Sequence, residues 1–370
     1  MVRHHIWKKF AALVAVVAVT ALTGCAGPTP PAAAPQGSEG GEPTQEISVL
    51  FASAMNNVPM MVAAEQGFWR DRGLNVSVKV LDSGSQIATA LVTGAADIGA
   101  GNAATSIPLS RAAGNRLVMV GPYHNNPMVV SGTERVGIIA HKDSGIRAGD
   151  AQSLVGKTIG VAQGATPESY LKEYLQKNGL SMKDVKPVNL GVPDMPTALS
   201  QKIVDAVVPW EPQVSEILRT QRDSTTVVVR GGAYGRSVVG VMVTEDYFAK
   251  NRDIVEKYVL GAWEGVKFTR EHPEEAAELA QRYINGLNSE DAASGIKQMN
   301  EEFDPRISAC TEGAITSEQK ALIAAGSMKQ PEPIPYKELV ATDFIDNLLR
   351  SNEDLLDGLP ELPASLGECK

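Results

Sequence analysis

Cysteine is scarce here, with three in 370 residues, and none sits in a CxxC pair. Five scattered histidines add no metal-ligand cluster, so neither a structural zinc site nor a dithiol redox centre is indicated. Gly-x-Ser-x-Gly, HExxH and GxxxxGK[ST] are all missing, which removes the usual nucleophile-elbow, zinc-protease and phosphate-loop chemistries. Basic charge is in deficit as well. Lys and Arg total 34 against 43 Asp and Glu, a net −9 without a basic block, and such a chain is a poor partner for nucleic acid. What is present is globular material: 43% hydrophobic and 21% charged, long enough for two ordinary domains or one two-lobed protein. Nothing in the composition asks for a cofactor.

The first 24 residues begin with basic and His residues, run apolar from Phe10 to Leu22 and end LTGC. That apolar run is too short for a comfortable membrane span and fits a signal-peptide core. Leu22-Thr23-Gly24-Cys25 looks like a bacterial lipobox, in which Cys25 receives a diacylglycerol and becomes the new N-terminus. The bland alternative is an ordinary signal peptide with a chance cysteine. Residues 25–45 then form a Pro/Ala/Gly/Ser/Thr tether with no hydrophobic pattern. Losing the leader removes Arg3, Lys8 and Lys9 and no acid, so the mature chain is more acidic still. The leftover pair, Cys310 and Cys369, suggests a disulfide in an exported chain, with two free thiols as the alternative. Closing so long a loop contributes roughly 4 kcal/mol in the chain-entropy model.

Beyond the tether the pattern alternates strand and helix. The stretch VKVLDSGSQIATALVTGAADIGAG (78–101) reads as strand, Gly/Ser turn, helix, tight turn, strand. A β-α-β unit of this kind puts both strand-end turns at one edge of a parallel sheet, where α/β sheets bind ligands. Strands are expected at Ile47–Phe51, Leu74–Val80, Leu117–Val120, Met128–Ser131 and Ile138–His141. A second run of the same type follows, with strands at Thr158–Val161, Val185–Leu190 and Val204–Val208. Its helix begins at Thr166, read as the N-cap, with Pro167 in the first turn. After the strands Thr225–Arg230 and Val238–Val243 the chain turns helical, with segments such as Asp253–Glu271 and Ser317–Ala325.

These residues resemble a known family when taken together. The lipobox, Pro59…Gly67-Phe68-Trp69…Gly73-Leu74-Asn75-Val76, Ala90–Asp97, Asp143-Ser144-Gly145-Ile146…Leu154–Val161 and Val204-Asp205-Ala206…Trp210-Glu211-Pro212 fall in the order found in solute-binding proteins of bacterial ABC importers for sulfonates, nitrate and taurine. The resemblance runs from about Ile47 to Ile284. It implies a type II periplasmic-binding-protein-like fold with two open α/β lobes and a ligand cleft between them. Residues 46–137 and 238–370 would form a discontinuous first lobe, and 138–237 the second. The implied protein is a monomeric, lipid-anchored receptor on the outer face of the cell membrane. It captures a small organic anion or zwitterion by lobe closure and delivers it to a permease. Receptors for aromatic or thiamine-precursor-type compounds are the runner-up, and a pyrimidine-synthase-like enzyme comes third.

Candidate contacts follow from the strand-end loops. The first lobe would offer Ser53, Asn56 and Asn57, then Ser83 and Ser85, then Asn102 with the amide of Ala103. Each is a short polar group or N–H at a helix start, suited to an oxyanion, although helix capping needs the same residue types. The second lobe would offer Thr166, Trp210 as a lid and Glu211, whose carboxylate would meet an amine or simply cap the following helix. His124 is a further candidate, set against a solvated loop histidine. No Arg or Lys falls in these loops, so a bare anion would be held by neutral donors and helix ends.

Overall fold

Ile47, Val49, Leu50 and Phe51 are buried in β1 (Gln45–Ala52) of the computed structural model. The structure describes residues 45–81, 84–125, 127–128, 135–232, 234, 237–284 and 287–369. The leader, Cys25, nearly all of the tether, Ser83 and most of the strand expected at Met128–Ser131 lie outside the described residues.

After β1 come α1 (Val58–Gln66), β2 (Leu74–Leu81), α2 (Gly84–Val92), β3 (Ile98–Asn102), α3 (Ala103–Ala112) and β4 (Leu117–His124). β1 pairs in parallel with β2 on one side and β3 on the other. The chain then builds a second sheet from β5 (Gly137–His141), β6 (Thr158–Val161), α4 (Thr166–Lys177), β7 (Lys186–Asn189), α5 (Met195–Ser200), β8 (Ala206–Val207), α6 (Gln213–Thr220) and β9 (Thr225–Arg230). It returns as β10 (Val239–Thr244), antiparallel to both β3 and β4. The first sheet therefore runs β2-β1-β3-β10-β4 and the second β7-β6-β8-β5-β9.

Edge and centre are written differently. In β2 the exposed Asn75, Ser77 and Lys79 alternate with half-buried valines, as suits an edge strand. β7, at the corresponding edge of the other sheet, is exposed and contains Pro187, which such an edge tolerates. β3, β4 and β10 are almost wholly buried.

Among the described residues, seven helices follow: α7 (Glu245–Lys250), α8 (Arg252–Glu271), α9 (Pro273–Ala280), α10 (Ser289–Gln298), α11 (Ala309–Ala324), α12 (Tyr336–Leu339) and α13 (Thr342–Ser351). α7, α8, α12 and α13 pack on the first sheet, and α9, α10 and α11 pack on its helices. α8 crosses α1 so closely that a Cβ on Gly265 would sit 2.2 Å from the Pro59 carbonyl oxygen, so only glycine fits there. Trp69 stacks on Tyr258 with ring centroids 4.7 Å apart. Trp263 Nε1 donates to Pro122 O at 2.7 Å.

The described residues hold two separate apolar cores, one beneath each sheet. Ala54, in the loop after β1, packs into the second core, so a first-sheet loop reaches across the junction. Two sequence expectations shift. Ala165, not Thr166, is the N-cap of α4, and Thr166 is its first helical residue. α11 starts at Ala309 instead of Ser317, because Ser308 Oγ accepts from the N–H groups of Cys310 and Thr311. Cys310 and Cys369 are disulfide-bonded, their Cα atoms 5.7 Å apart, which ties the end of the chain to the first turn of α11.

Candidate ligand-binding cavity

The loops at the strand ends of both sheets meet around one cavity of about 470 Å³, its mouth included. From the first sheet's side come Ala52, Ala54, Asn56 and Asn57 after β1, Gly84 at the start of α2, and Gly101, Asn102, Thr105 and Ser106 where β3 passes into α3. From the other side come Gly164, Ala165 and Thr166 before and at the start of α4, and Trp210 after β8. Direct bonds join the two sides. Asn102 Nδ2 donates to Thr166 Oγ1 at 2.9 Å, and the N–H of Met55 donates to the carbonyl of Glu211 at 3.3 Å. A Cβ on Gly164, whose φ is +70, would sit 3.5 Å from Ser85 Cβ.

Three buried side-chain atoms on this wall lack a hydrogen-bond partner: Asn56 Oδ1, Asn102 Oδ1 and Trp210 Nε1. A buried polar atom without a partner costs about 1–3 kcal/mol, so three on residues lining one space mark a surface built to meet something polar. Asn57 is different. Its Nδ2 donates to Ala52 O at 2.7 Å and its Oδ1 accepts from Tyr123 Oη at 2.5 Å, so it braces the loop. Neither Asn57 nor Asn102 caps its helix with its side chain, so simple capping does not explain them.

None of the strand-end loops supplies a cation, but Arg135, from outside them, lines the cavity. It comes from the segment that crosses between the sheets, where no strand or helix period flags it. Only 4% exposed, it donates to Glu302 Oε2 at 3.0 Å and to Ser237 Oγ, so its charge is largely answered within the protein. Burial lowers its pKa from the ordinary value, and the Glu302 carboxylate acts in the opposite direction.

Other candidates lie elsewhere. His124 is fully buried, neither solvated nor on the cavity wall. Its Nδ1 is 3.1 Å from Arg135 Nη1, and its ring meets Phe303 edge-on. Burial, then the Arg135 charge, push its pKa well below the usual histidine value and keep the imidazole neutral. Glu211 is also off the cavity wall. One carboxylate oxygen pairs with Arg230 Nη2 at 2.5 Å and the other accepts from the N–H of Ser215 at 3.1 Å, which makes it a structural acid at the start of α6. The amide of Ala103 is committed to the Val238 carbonyl at 2.8 Å, because β10 lies beside β3. Ser53 is half-buried outside the cavity, its N–H bonded to Leu81 O. Ser85 lines an adjoining groove with Thr89, Ser106 and Gly164.

The chain is 25% identical over 263 residues to the riboflavin-binding protein RibY of Chloroflexus aurantiacus, covering 68% of this chain and 70% of that one. It superposes on the alkanesulfonate-binding protein SsuA of Xanthomonas axonopodis pv. citri, solved with MOPS bound, with a TM-score of 0.67. That match has 19% identity and covers 81% of this chain and 99% of that one. The periplasmic nitrate-binding protein NrtA of Synechocystis PCC 6803 gives a TM-score of 0.66 at 14% identity, over 86% and 92% of the two chains. These likenesses show a two-lobed α/β fold of the periplasmic-binding-protein kind. The family described as NMT1/THI5 like matches residues 54–276, more than half of the chain, and the protein belongs to it.

Proposed function

We propose that this protein is an extracytoplasmic receptor of an ABC import system that holds a small organic anion or zwitterion between two lobes and hands it to a permease. It binds its solute and does not transform it. The observation that carries this reading is the trio of unpartnered buried atoms, Asn56 Oδ1, Asn102 Oδ1 and Trp210 Nε1, drawn from both sides of one cavity. A solute touching both sides stabilises the closed arrangement by its extra affinity for that arrangement. The relatives named above support the same role, since each is a binding protein for a small solute.

On this reading the first lobe comprises residues 46–137 and 238–370 and the second 138–237. Cys25 carries the lipid, residues 26–45 give reach to the membrane, and the receptor works as a monomer. An aromatic solute is the second reading, favoured by Trp210 on the cavity wall and by the riboflavin-binding relative. A thermal-shift panel on the purified chain separates the two. It would include taurine, alkanesulfonates, nitrate, aromatic carboxylates, thiamine precursors and riboflavin. Any solute that binds only the folded state raises the midpoint. A rise with taurine or a sulfonate supports the first reading, and a rise confined to aromatics supports the second. A flat panel from folded protein removes both.

A further inference from the structure

The amide of Asn102 is held in one orientation by a relay that begins in the C-terminal helices. Glu318, on α11, is 1% exposed, and its Oε1 accepts from Thr105 Oγ1 at 2.9 Å and from Ser169 Oγ at 3.1 Å. Thr105 lies in the first turn of α3, and Ser169 in that of α4 on the opposite side of the cavity. A hydroxyl has one proton, and Thr105 directs its own to Glu318, so towards Asn102 it only accepts. Asn102 Nδ2 donates to Thr105 Oγ1 at 3.2 Å and to Thr166 Oγ1 at 2.9 Å, which uses both amide protons. Oδ1 is left buried without a partner, on a residue that lines the cavity. A flipped amide would set that oxygen against the lone pairs of Thr105.

We propose that Glu318, acting through Thr105, is a positioning residue that decides which solutes the cavity accepts. It fixes Asn102 with its carbonyl free for the guest, so the cavity selects a solute that carries an N–H or O–H donor over the same solute without one. This rests on reading the cavity as the solute site and narrows its ligand to an amino-sulfonate or amino-carboxylate type. The helix ends agree. The Ala103 and Ala104 amides that would serve a bare oxyanion both bond to Val238 O, and the Gly164 amide bonds to Glu168 Oε2. Because Thr105 and Ser169 meet on one carboxylate oxygen, the relay is complete only with the two sides of the cavity together.

The test uses the full chain and matched solute pairs in calorimetric titration: taurine with ethanesulfonate, β-alanine with propionate, and 4-aminobenzoate with benzoate. The aminated member of a binding pair should bind at least about tenfold more tightly, the scale of one hydrogen bond gained against an acceptor left unpaired. In Glu318→Leu no acceptor remains for the Thr105 hydroxyl proton, which can turn towards Asn102 and let its amide flip, so the ratio should come within about threefold. Thr105→Val should do the same if Glu318→Leu fails to fold. Preference for the donor-free member, or an unchanged ratio in both variants, overturns the proposal. The orientation has its own ligand-free readout, in which NMR contacts should run from the Asn102 side-chain N–H protons to the methyls of Thr105 and Thr166. Absence of contacts to both of those methyls also overturns it. A chain that binds none of the six solutes refutes the proposed solute class, and the amide contacts still decide the orientation.

Discussion

The two sheets share one strand order, with an antiparallel strand fourth in each, β10 in the first and β5 in the second. They differ in what they bring to the cavity. The first side supplies acceptors without partners, Asn56 Oδ1 and Asn102 Oδ1, and the second supplies a donor without one, Trp210 Nε1. They differ also in backing, because the helices after β10 pack on the first core and touch the second side through the Glu318–Ser169 bond of α11 to α4. A heavily braced frame and a lighter partner of the same topology share one site, and the chemistry is complete only where they meet.

The largest test of this asymmetry is Trp263→Ala, deep in the first core. It should remove about 3–5 kcal/mol of stability, since a large buried ring and its bond to Pro122 O are lost together. Amide hydrogen exchange in urea should show that loss in the first core, with the amides of the second sheet reporting the second core. Equal movement of both signals would break the comparison by showing a single cooperative unit. Next in size, replacing Cys310 and Cys369 together by serine should lower stability by about 2–4 kcal/mol.

A smaller effect concerns the junction. His124 is buried neutral beside Arg135 and Glu302, with its pKa well below the ordinary 6.5. Below 6.5 the unfolded chain therefore takes up a proton that the folded one refuses. Stability is fully present above that pH and falls as the pH drops, by up to about 1.4 kcal/mol per pH unit. His124→Gln should flatten that slope in a pH series of unfolding curves. The smallest effect sharpens the comparison from the second side. Glu211→Gln should weaken stability through its lost pair with Arg230 yet leave solute affinity within about twofold, because its carboxylate is off the cavity wall. A large loss of affinity would return Glu211 to the site.

Much of the fold was legible in the sequence. Thr158–Val161 and Thr225–Arg230 form strands over the expected residues, because short β-branched runs between turn residues leave little choice. Two sets of strand-end polar loops were legible for the same reason. The site was less so. The fate of the Ala103 amide depends on Val238, brought alongside by a strand far later in the chain. Glu211 is claimed by Arg230, which the sequence places 19 residues away but the sheet brings close. Arg135 sits in a crossing segment with no period, and Glu318 in a helix whose onset depends on a cap at Ser308. The partners of Ala103, Glu211, Arg135 and Glu318 are long-range, which local pattern does not encode, whereas the Ser308 cap is local.

The place of β10 has a consequence for how this molecule comes into being. A chain emerging N-terminus first presents β1, β2, β3 and β4 early, but the strand that belongs between β3 and β4 is Val239–Thr244. The whole of the second sheet, Gly137–Arg230, must emerge before it. The second sheet is contiguous in the chain and can close on its own. The first must wait with a gap beside β3, its unpaired edges open to wrong partners. The lobe that is better braced in the finished protein is thus the later one to mature.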